Sequence, residues 1–156
     1  MVRAARVVLC AVAVSACAAA CSTTPRTEVI VVTDTDLRGP TGLDEMVIEV
    51  TAPDGTMMQR AVASLGGPAD APLPRFLGLV WSAGPLGPFT VRVTGNRAGT
   101  TRLSRTARFT FVEGQTRVLR IDLLASCVST VCPATETCGE TGCRSLDIAE
   151  SELLPW

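Results

Sequence analysis

Short apolar runs, separated by turns rich in Gly, Pro and Asp, recur along the chain from Glu28 to Leu124. Several runs are β-branched or alternate apolar with polar residues, which is the period of a half-buried strand. None sustains a helical period over three turns. The pattern predicts strands over 28–33, 46–51, 57–65, 75–81, 89–94, 105–112 and 116–124. Short strands at spacings of about ten residues predict an all-β fold, an antiparallel β-sandwich.

Alternation also predicts which side chains of these strands face the core. On the two clearest strands the inward positions are Met46, Ile48 and Val50, and Phe89, Val91 and Val93. We expect the apolar strand 75–81 to be buried, and Val118 and Ile121 to lie in the core. Glu113-Gly114 is a turn signal between the last two strands, so we expect a hairpin there.

Two stretches resemble a known class of envelope domain. Phe-Thr-Val-Arg-Val-Thr-Gly at 89–95 and Phe-Val-Glu-Gly-Gln-Thr-Arg-Val-Leu-Arg-Ile-Asp-Leu at 111–123 are similar to strands of immunoglobulin-like and transthyretin-like (carboxypeptidase-regulatory-like) domains of the bacterial envelope. The resemblance covers roughly residues 26–124, and the domain itself is assigned to 28–124. It implies a fold and no particular activity, because such folds carry many functions.

The N-terminus has the three parts of an export signal. Arg3 and Arg6 form a positive segment, an apolar run follows over 7–14, and small residues precede Cys17 and Cys21. The apolar run is too short for a membrane-spanning helix. An ordinary secretory signal, cut at an Ala-x-Ala site with the cysteines incidental, is the alternative interpretation of the same residues.

Val14-Ser15-Ala16-Cys17 resembles the lipobox of bacterial lipoprotein signal peptides, and Ala18-Ala19-Ala20-Cys21 is an alternative match. The resemblance implies cleavage before Cys17 (or Cys21) and lipid on its thiol, which anchors the chain to the membrane. Acyl chains on one cysteine suffice for stable anchoring. No aspartate follows either cysteine, which by resemblance to enterobacterial sorting rules implies the outer membrane, facing the periplasm or the surface.

Four cysteines are spaced C-x4-C-x5-C-x4-C in the C-terminal part, at Cys127, Cys132, Cys138 and Cys143. Structural zinc sites favour closer pairs, whereas an exported chain meets an oxidising compartment, so disulfides are favoured over zinc. Four cysteines permit three connectivities. The stretch resembles small EGF-like modules, and that resemblance implies the pairs Cys127–Cys138 and Cys132–Cys143.

The chain thus divides into five segments. They are the signal peptide and anchor cysteine at 1–21, a tether at 22–27, the sandwich at 28–124, a disulfide-stapled module at 125–144 and a tail at 145–156. We expect the tail to fold against the module or to contact a partner.

Composition and motifs argue against several classes of function but identify none. Net charge is −1, which argues against nucleic-acid binding. The chain has no histidine, which removes the commonest general base and metal ligand. It also lacks a nucleophile elbow, a phosphate-binding loop and a Cys-x-x-Cys motif. These observations predict a protein without catalytic residues and without a cofactor.

One loop carries a weak metal signal. Asp34 and Asp36, with Glu45 further on, overlap the EF-hand calcium loop, but Arg38 stands where an oxygen ligand belongs and strands flank the loop. Asp, Gly and Pro are equally the residues of an exposed turn.

Two functional hypotheses follow. The first is a lipid-anchored envelope protein with a non-enzymatic binding or structural role towards another envelope protein or a glycan, with loops or an edge strand as the binding element. The alternative is a calcium-binding or carboxylate-dependent accessory or enzyme subunit that uses Asp34, Asp36, Asp44 and Glu45.

Overall fold

A computed structural model describes residues 25–39, 41–67, 70 and 72–156. The export signal, Cys17 and Cys21 therefore lie outside the described residues. Ten strands follow one another: β1 (Glu28–Thr33), β2 (Glu45–Thr51), β3 (Met57–Ser64), β4 (Arg75–Val80), β5 (Phe89–Arg97), β6 (Thr100–Phe109), β7 (Thr116–Arg120), β8 (Glu136–Gly139), β9 (Gly142–Ser145) and β10 (Leu154–Pro155). Single 3₁₀ turns lie at Ala125–Cys127 and Glu150–Glu152.

Eight of the strands form two four-stranded sheets. The first sheet has the order β10-β7-β1-β4 and the second the order β3-β2-β5-β6, while β8 and β9 form a small separate hairpin. The pairs are antiparallel except β1 with β7, which run parallel from Glu28 beside Thr116. The predicted all-β antiparallel sandwich is confirmed, with one parallel pair at its centre.

The core lies between the two sheets and is built by the predicted alternation. β1 contributes Val29 and Val31 from the first sheet, and both are fully buried. The second sheet contributes Met46, Ile48 and Val50 from β2, Phe89, Val91 and Val93 from β5, and Leu103, Ala107 and Phe109 from β6. The rings of Phe89, Phe109 and Phe111 contact one another at centroid distances of 5.0–5.9 Å. Burial of these apolar side chains is the main driving force for the sandwich.

Two expectations about the first sheet are wrong. β4 is not a buried strand, because Phe76 is 60% exposed and Val80 is 53% exposed. β4 lies at the edge of the sheet, and these two side chains alternate with inward Leu79 and Leu77. On β7 the inward residue is Leu119 and not Val118, since Val118 pairs with outward Ile30 in the parallel register.

The hairpin predicted at Glu113-Gly114 is also wrong. β6 belongs to the second sheet and β7 to the first, so this segment carries the chain from one sheet to the other. The hairpin of this region joins β5 to β6 instead. Its turn is Ala98 and Gly99, both with positive φ (49° and 73°), as a two-residue type I′ turn requires. Hairpin turns of this type usually carry Asn-Gly or Asp-Gly, because alanine rarely adopts positive φ. The Ala-Gly sequence of this turn therefore did not predict a hairpin.

The C-terminal segment closes one side of the sandwich. After β9, the N–H of Arg108 on β6 donates to Leu146 O at 2.7 Å, and the N–H of Ile148 donates to Arg108 O at 2.8 Å. The chain then crosses to the first sheet, where β10 pairs with β7. The tail therefore covers the free edges of both β6 and β7, in addition to contacting the module. Covered edges protect a sheet from pairing with other chains.

Candidate functional site

The acidic side chains of the predicted calcium loop lie in two separate places. Asp34 follows β1, and its Oδ1 accepts hydrogen bonds from Arg38 Nη2 and from the N–H of Thr35, each at 2.7 Å. Asp36 Oδ1 accepts one from the N–H of Ala125 at 2.7 Å, which joins this loop to the start of the disulfide module. Both carboxylates are thus engaged in holding backbone turns.

Asp44 and Glu45 lie beside the β5–β6 turn instead. Asp44 Oδ2 accepts a hydrogen bond from the N–H of Ala98 at 2.6 Å, and Glu45 Oε1 accepts one from Asn96 Nδ2 at 2.7 Å. The described part of the chain contains no group of three or more His, Cys, Asp or Glu side chains placed to hold a metal ion. The structure therefore does not bring together the residues on which the calcium hypothesis depends.

The largest described cavity, about 750 Å³, lies at the same end of the sandwich, between the loops that follow β1 and β3. Its apolar wall includes Leu37, Leu43, Leu65, Pro72 and Leu73, and its charged wall consists of Arg38, Arg97, Asp44 and Asp70. Each of these four charged groups already bonds within the loops. Arg97 Nη1, for example, donates to Gly42 O at 2.8 Å, and Asp70 Oδ2 accepts from the N–H of Gly67. These four charged side chains therefore stabilise the loops and do not form a set of groups directed at a ligand.

A second cavity, about 340 Å³, separates the sandwich from the disulfide module. Arg105 reaches into this region and donates from Nη1 to Asp122 O at 2.6 Å. Burial lowers the pKa of the Arg105 guanidinium, with Asp122 opposing the shift. Arg120 Nε donates to Asp122 Oδ2 at 2.6 Å, and this bond raises the pKa of Arg120. Three arginines and three carboxylates line the cavity, and Arg120 and Arg144 form ion pairs there, so the cavity has no excess of one charge sign.

The outer face of the first sheet is the most distinctive surface of the molecule. Its apolar side chains are Ile30 and Val32 on β1, Phe76 and Val80 on β4, Val118 on β7 and Leu154 on β10. Phe76, Val80 and Leu154 are more than half exposed. An outward sheet face normally carries polar residues, so an apolar one marks an interaction site. We refer to these six residues as the apolar face.

The register places part of the apolar face in one row across the sheet. Ile30 lies between Gly78 on one side and Val118 on the other, and Leu154 follows beside Val118. Gly78 leaves a gap between Phe76 and Val80, since a Cβ there would meet only Glu28 Oε1, at 3.4 Å. Ile30, Val118 and Leu154 therefore form a shallow apolar strip across the sheet, with the Glu28 carboxylate beside its Gly78 end.

The outer face of the second sheet provides the contrast. It presents Thr90, Arg92 and Thr94 from β5, and Ser104, Thr106 and Arg108 from β6, with Val47 and Val62 as its apolar pair. This alternation of Thr and Arg is what a solvated face requires. The first sheet thus has more apolar positions on its outer face than the second.

Sequence reasoning missed the apolar face, although β1 carried its signal. Val-Ile-Val-Val is apolar at every position, a pattern of strands covered on both faces. The six residues come from four strands that are distant in the chain. The face that they form together is therefore evident only once the strand order is known.

The C-terminal module contains the expected disulfides. Cys127 bonds to Cys138 and Cys132 to Cys143, with Cα–Cα distances of 5.7 and 5.6 Å. This is the pairing that the EGF-like resemblance implied. Disulfides persist in oxidising compartments, so they indicate an exported protein. Across the described residues, the structure has no helix with the length and apolarity needed to cross a bilayer.

These features define a class: an exported β-sandwich protein with a disulfide-bonded C-terminal module and an apolar outer sheet face. Comparisons with protein-family models, with curated proteins and with solved structures gave no match to this chain.

Proposed function

We propose that this protein is a lipid-anchored protein of the bacterial cell envelope with a non-enzymatic binding role, and that the apolar face binds another envelope protein. The observation that carries the proposal is the apolar face itself. Its exposed side chains Phe76, Val80 and Leu154 lie on the outer face of one sheet, around the apolar pair Ile30 and Val118, while the other sheet presents Thr and Arg. Surfaces of this kind mark protein–protein contacts.

The lipid anchor is supported by the order of residues before the sandwich. A positive segment, an apolar run and small residues lead to Cys17 and Cys21, as in lipoprotein signals. Thiol acylation on either cysteine would hold the exported domain at a membrane, the outer membrane by the sorting argument. The disulfides agree with such a location, because they require an oxidising compartment.

A protein partner is favoured over a glycan by the chemistry of the face. Glycans are bound by hydrogen-bonding side chains together with stacked aromatic rings, whereas the apolar face is mainly aliphatic, with Phe76 as its aromatic member. A protein partner can bury such a face as the core of an interface. Full burial of a side chain the size of Phe76 or Leu154 stabilises an interface by up to about 1.5–3 kcal/mol.

Site-specific photocrosslinking in intact cells tests the binding role. We expect a photoreactive residue at Leu154 to form one discrete adduct with an envelope protein, and Phe76→Asp to abolish that adduct. The matched control places the photoreactive residue at Thr94, on the polar outer face of the second sheet. Equal adducts from both positions, or an adduct insensitive to Phe76→Asp, would contradict the proposal. Crosslinks to peptidoglycan or polysaccharide would favour a glycan instead.

Intact mass of the protein from native membranes tests the anchor. We expect cleavage before Cys17 or Cys21, added acyl mass on that cysteine, and a mass gain on reduction that corresponds to two disulfides. A mature chain without acyl mass would reject the anchor and leave a freely secreted binding protein.

A further inference from the structure

The described chain begins at one end of the sandwich, which we call the tether end. It comprises Thr27, Trp81 and the connections 52–56 and 110–115. β1 starts here, with Glu28 beside Val80 and Thr116 in the register. The opposite end carries the loops after β1 and β3, with the largest cavity.

Hydrogen bonds hold the start of the chain firmly to the tether end. Thr27 O accepts one from the N–H of Trp81 at 3.0 Å, and Thr27 Oγ1 accepts one from the N–H of Gly114 at 2.8 Å. Glu28 then donates its N–H to Gln115 O at 3.0 Å. The point where the tether joins the domain is therefore fixed relative to both sheets.

Exposed apolar side chains concentrate at this end. Met57 and Met58 begin β3 just after the β2–β3 turn, and both are more than half exposed. Met58 is the extra residue at the irregularity in the β2–β3 register, between Val50 paired with Gln59 and Thr51 paired with Met57. Val80 ends β4 at the same end.

The C-terminal residue adds an aromatic ring to this set. Leu154 pairs with Val118 and Pro155 with Arg117 in an antiparallel register, so Trp156 continues towards Thr116 and the tether end. Trp156 is 73% exposed. Trp81, the second tryptophan of the chain, lies half-buried at the same end.

The tether is short. Thr27 follows Cys21 by six residues and Cys17 by ten. An extended chain spans at most about 3.3–3.6 Å per residue, so the tether reaches about 20 Å from Cys21 or about 35 Å from Cys17. A lipid on Cys21 thus keeps the tether end within about 20 Å of the membrane, and a lipid on Cys17 within about 35 Å.

We propose that the tether end docks on the phospholipid surface, with Met57, Met58 and Trp156 entering the headgroup region and Val80, the member of the apolar face at this end, at the border of the contact. Tryptophan and apolar side chains favour this interface, since an amphipathic ring has one apolar and one polar part. This inference rests on the proposed lipid anchor, which supplies the bilayer as the neighbouring surface. The domain then stands upright, with the cavity end facing away from the membrane.

Depth-dependent fluorescence quenching tests this orientation on the full, acylated protein reconstituted into phosphatidylethanolamine–phosphatidylglycerol vesicles. Trp81→Phe leaves Trp156 as the sole tryptophan. We expect its emission to shift to shorter wavelength on reconstitution, to be quenched by lipids brominated near the headgroup, and to be protected from aqueous iodide. Val80→Asp should remove most of this quenching, because it places a charge in the contact.

A matched control is available on the same strand. Phe76→Asp changes a residue of β4 with similar exposure that lies towards the cavity end, and should leave Trp156 quenching unchanged. The double variant Met57→Gln and Met58→Gln, in an exposed segment, provides an independent test and should also reduce quenching.

The outcomes separate the two proposals. Intact mass and vesicle flotation are recorded first on the same sample. An unacylated chain that does not float rejects the anchor, and this inference with it. An acylated chain that floats, yet keeps Trp156 accessible to iodide and unquenched by brominated lipid, overturns the docking of the tether end and leaves the anchor standing. Equal effects of Val80→Asp and Phe76→Asp also overturn it.

Discussion

Cys127 and Cys138 form a disulfide inside the core of the sandwich, where the two residues are 5% and 7% exposed. Cys132 and Cys143 form the other disulfide near the surface, and Cys143 is exposed. Both bonds link residues eleven positions apart. The two disulfides therefore constrain the unfolded chain equally, and they differ only in how deeply they are buried.

This relationship predicts unequal effects of removing each bond. Loss of either loop constraint costs on the order of 3 kcal/mol of unfolding free energy. The double variant Cys127→Ala and Cys138→Ala should lose about 1–2 kcal/mol more than Cys132→Ala with Cys143→Ala, because it also removes buried sulfur from the core. Urea unfolding of the two double variants measures the difference. Alkylation under mild reduction should label Cys132 and Cys143 first. Equal labelling of all four cysteines would contradict the difference in burial between the two disulfides.

Consecutive leucines at the C-terminus provide a second prediction. Leu153 is fully buried in the core, whereas its neighbour Leu154 is more than half exposed on the apolar face. Leu153→Ala should lower the free energy of unfolding by about 2–5 kcal/mol, as for other buried leucines. Leu154→Ala should change it by less than about 0.5 kcal/mol. Denaturant midpoints decide, and similar losses for both would mean that the tail does not pack as described.

Two strand glycines differ in the space around them. A Cβ at Gly95 would lie 2.5 Å from Leu43 Cδ1 and 2.9 Å from Leu123 Cδ1, which is a clash inside the core. Gly95→Ala should therefore destabilise the fold by about 1–3 kcal/mol through overpacking. Gly78→Ala is the control, because its Cβ would meet only Glu28 Oε1 at ordinary contact distance. Thermal unfolding of both variants tests this, and a stable Gly95→Ala protein would refute the close approach.

The ion pair between Arg144 and Glu152 predicts a pH effect. The hydrogen bond from Arg144 lowers the pKa of the Glu152 carboxyl below its ordinary value of 4.5, with help from the N–H of Ala149. Because the folded-state pKa is lowered, the ion pair stabilises the fold fully above the unfolded-state pKa. This stabilisation is lost as the pH falls through the folded-state pKa. Exposure to solvent keeps its size small.

Carbon-13 NMR titration of the Glu152 carboxyl group measures this shift directly. Arg144→Gln should raise the pKa of Glu152, because it removes the largest cause of the lowering. A Glu152 titration unchanged by the substitution would show that the ion pair does not form in solution.

Strand positions were largely predictable because alternation is a local property. β1 matches its predicted range, and β2, β3 and β4 match within one residue at each end, since their apolar runs are bounded by turns. β6 was less well placed: it begins at Thr100, five residues early, because Thr and Arg alternate there without strong apolar markers. Disulfide pairing followed from a family resemblance, and the spacing alone allowed three connectivities.

The candidate sites were predicted less well than the strands. Asp34 and Glu45 were expected in one loop site because they are close in sequence, yet they bond to different turns. The apolar face was not predicted, because Phe76, Ile30 and Val118 come from strands that meet only through the sheet order.

By itself, the sequence determined where most strands of the sandwich lie, which residues of most of them turn inward, and that the chain carries an export signal pattern and four cysteines spaced for disulfides. The tertiary structure decided that β7 pairs with β1 in parallel, and that the segment after β6 crosses between sheets. The physical reason is that the two-residue period of a strand is encoded locally, whereas its pairing partner depends on contacts between distant segments. The same pairing assembles the apolar face, so the proposed binding surface is a product of topology.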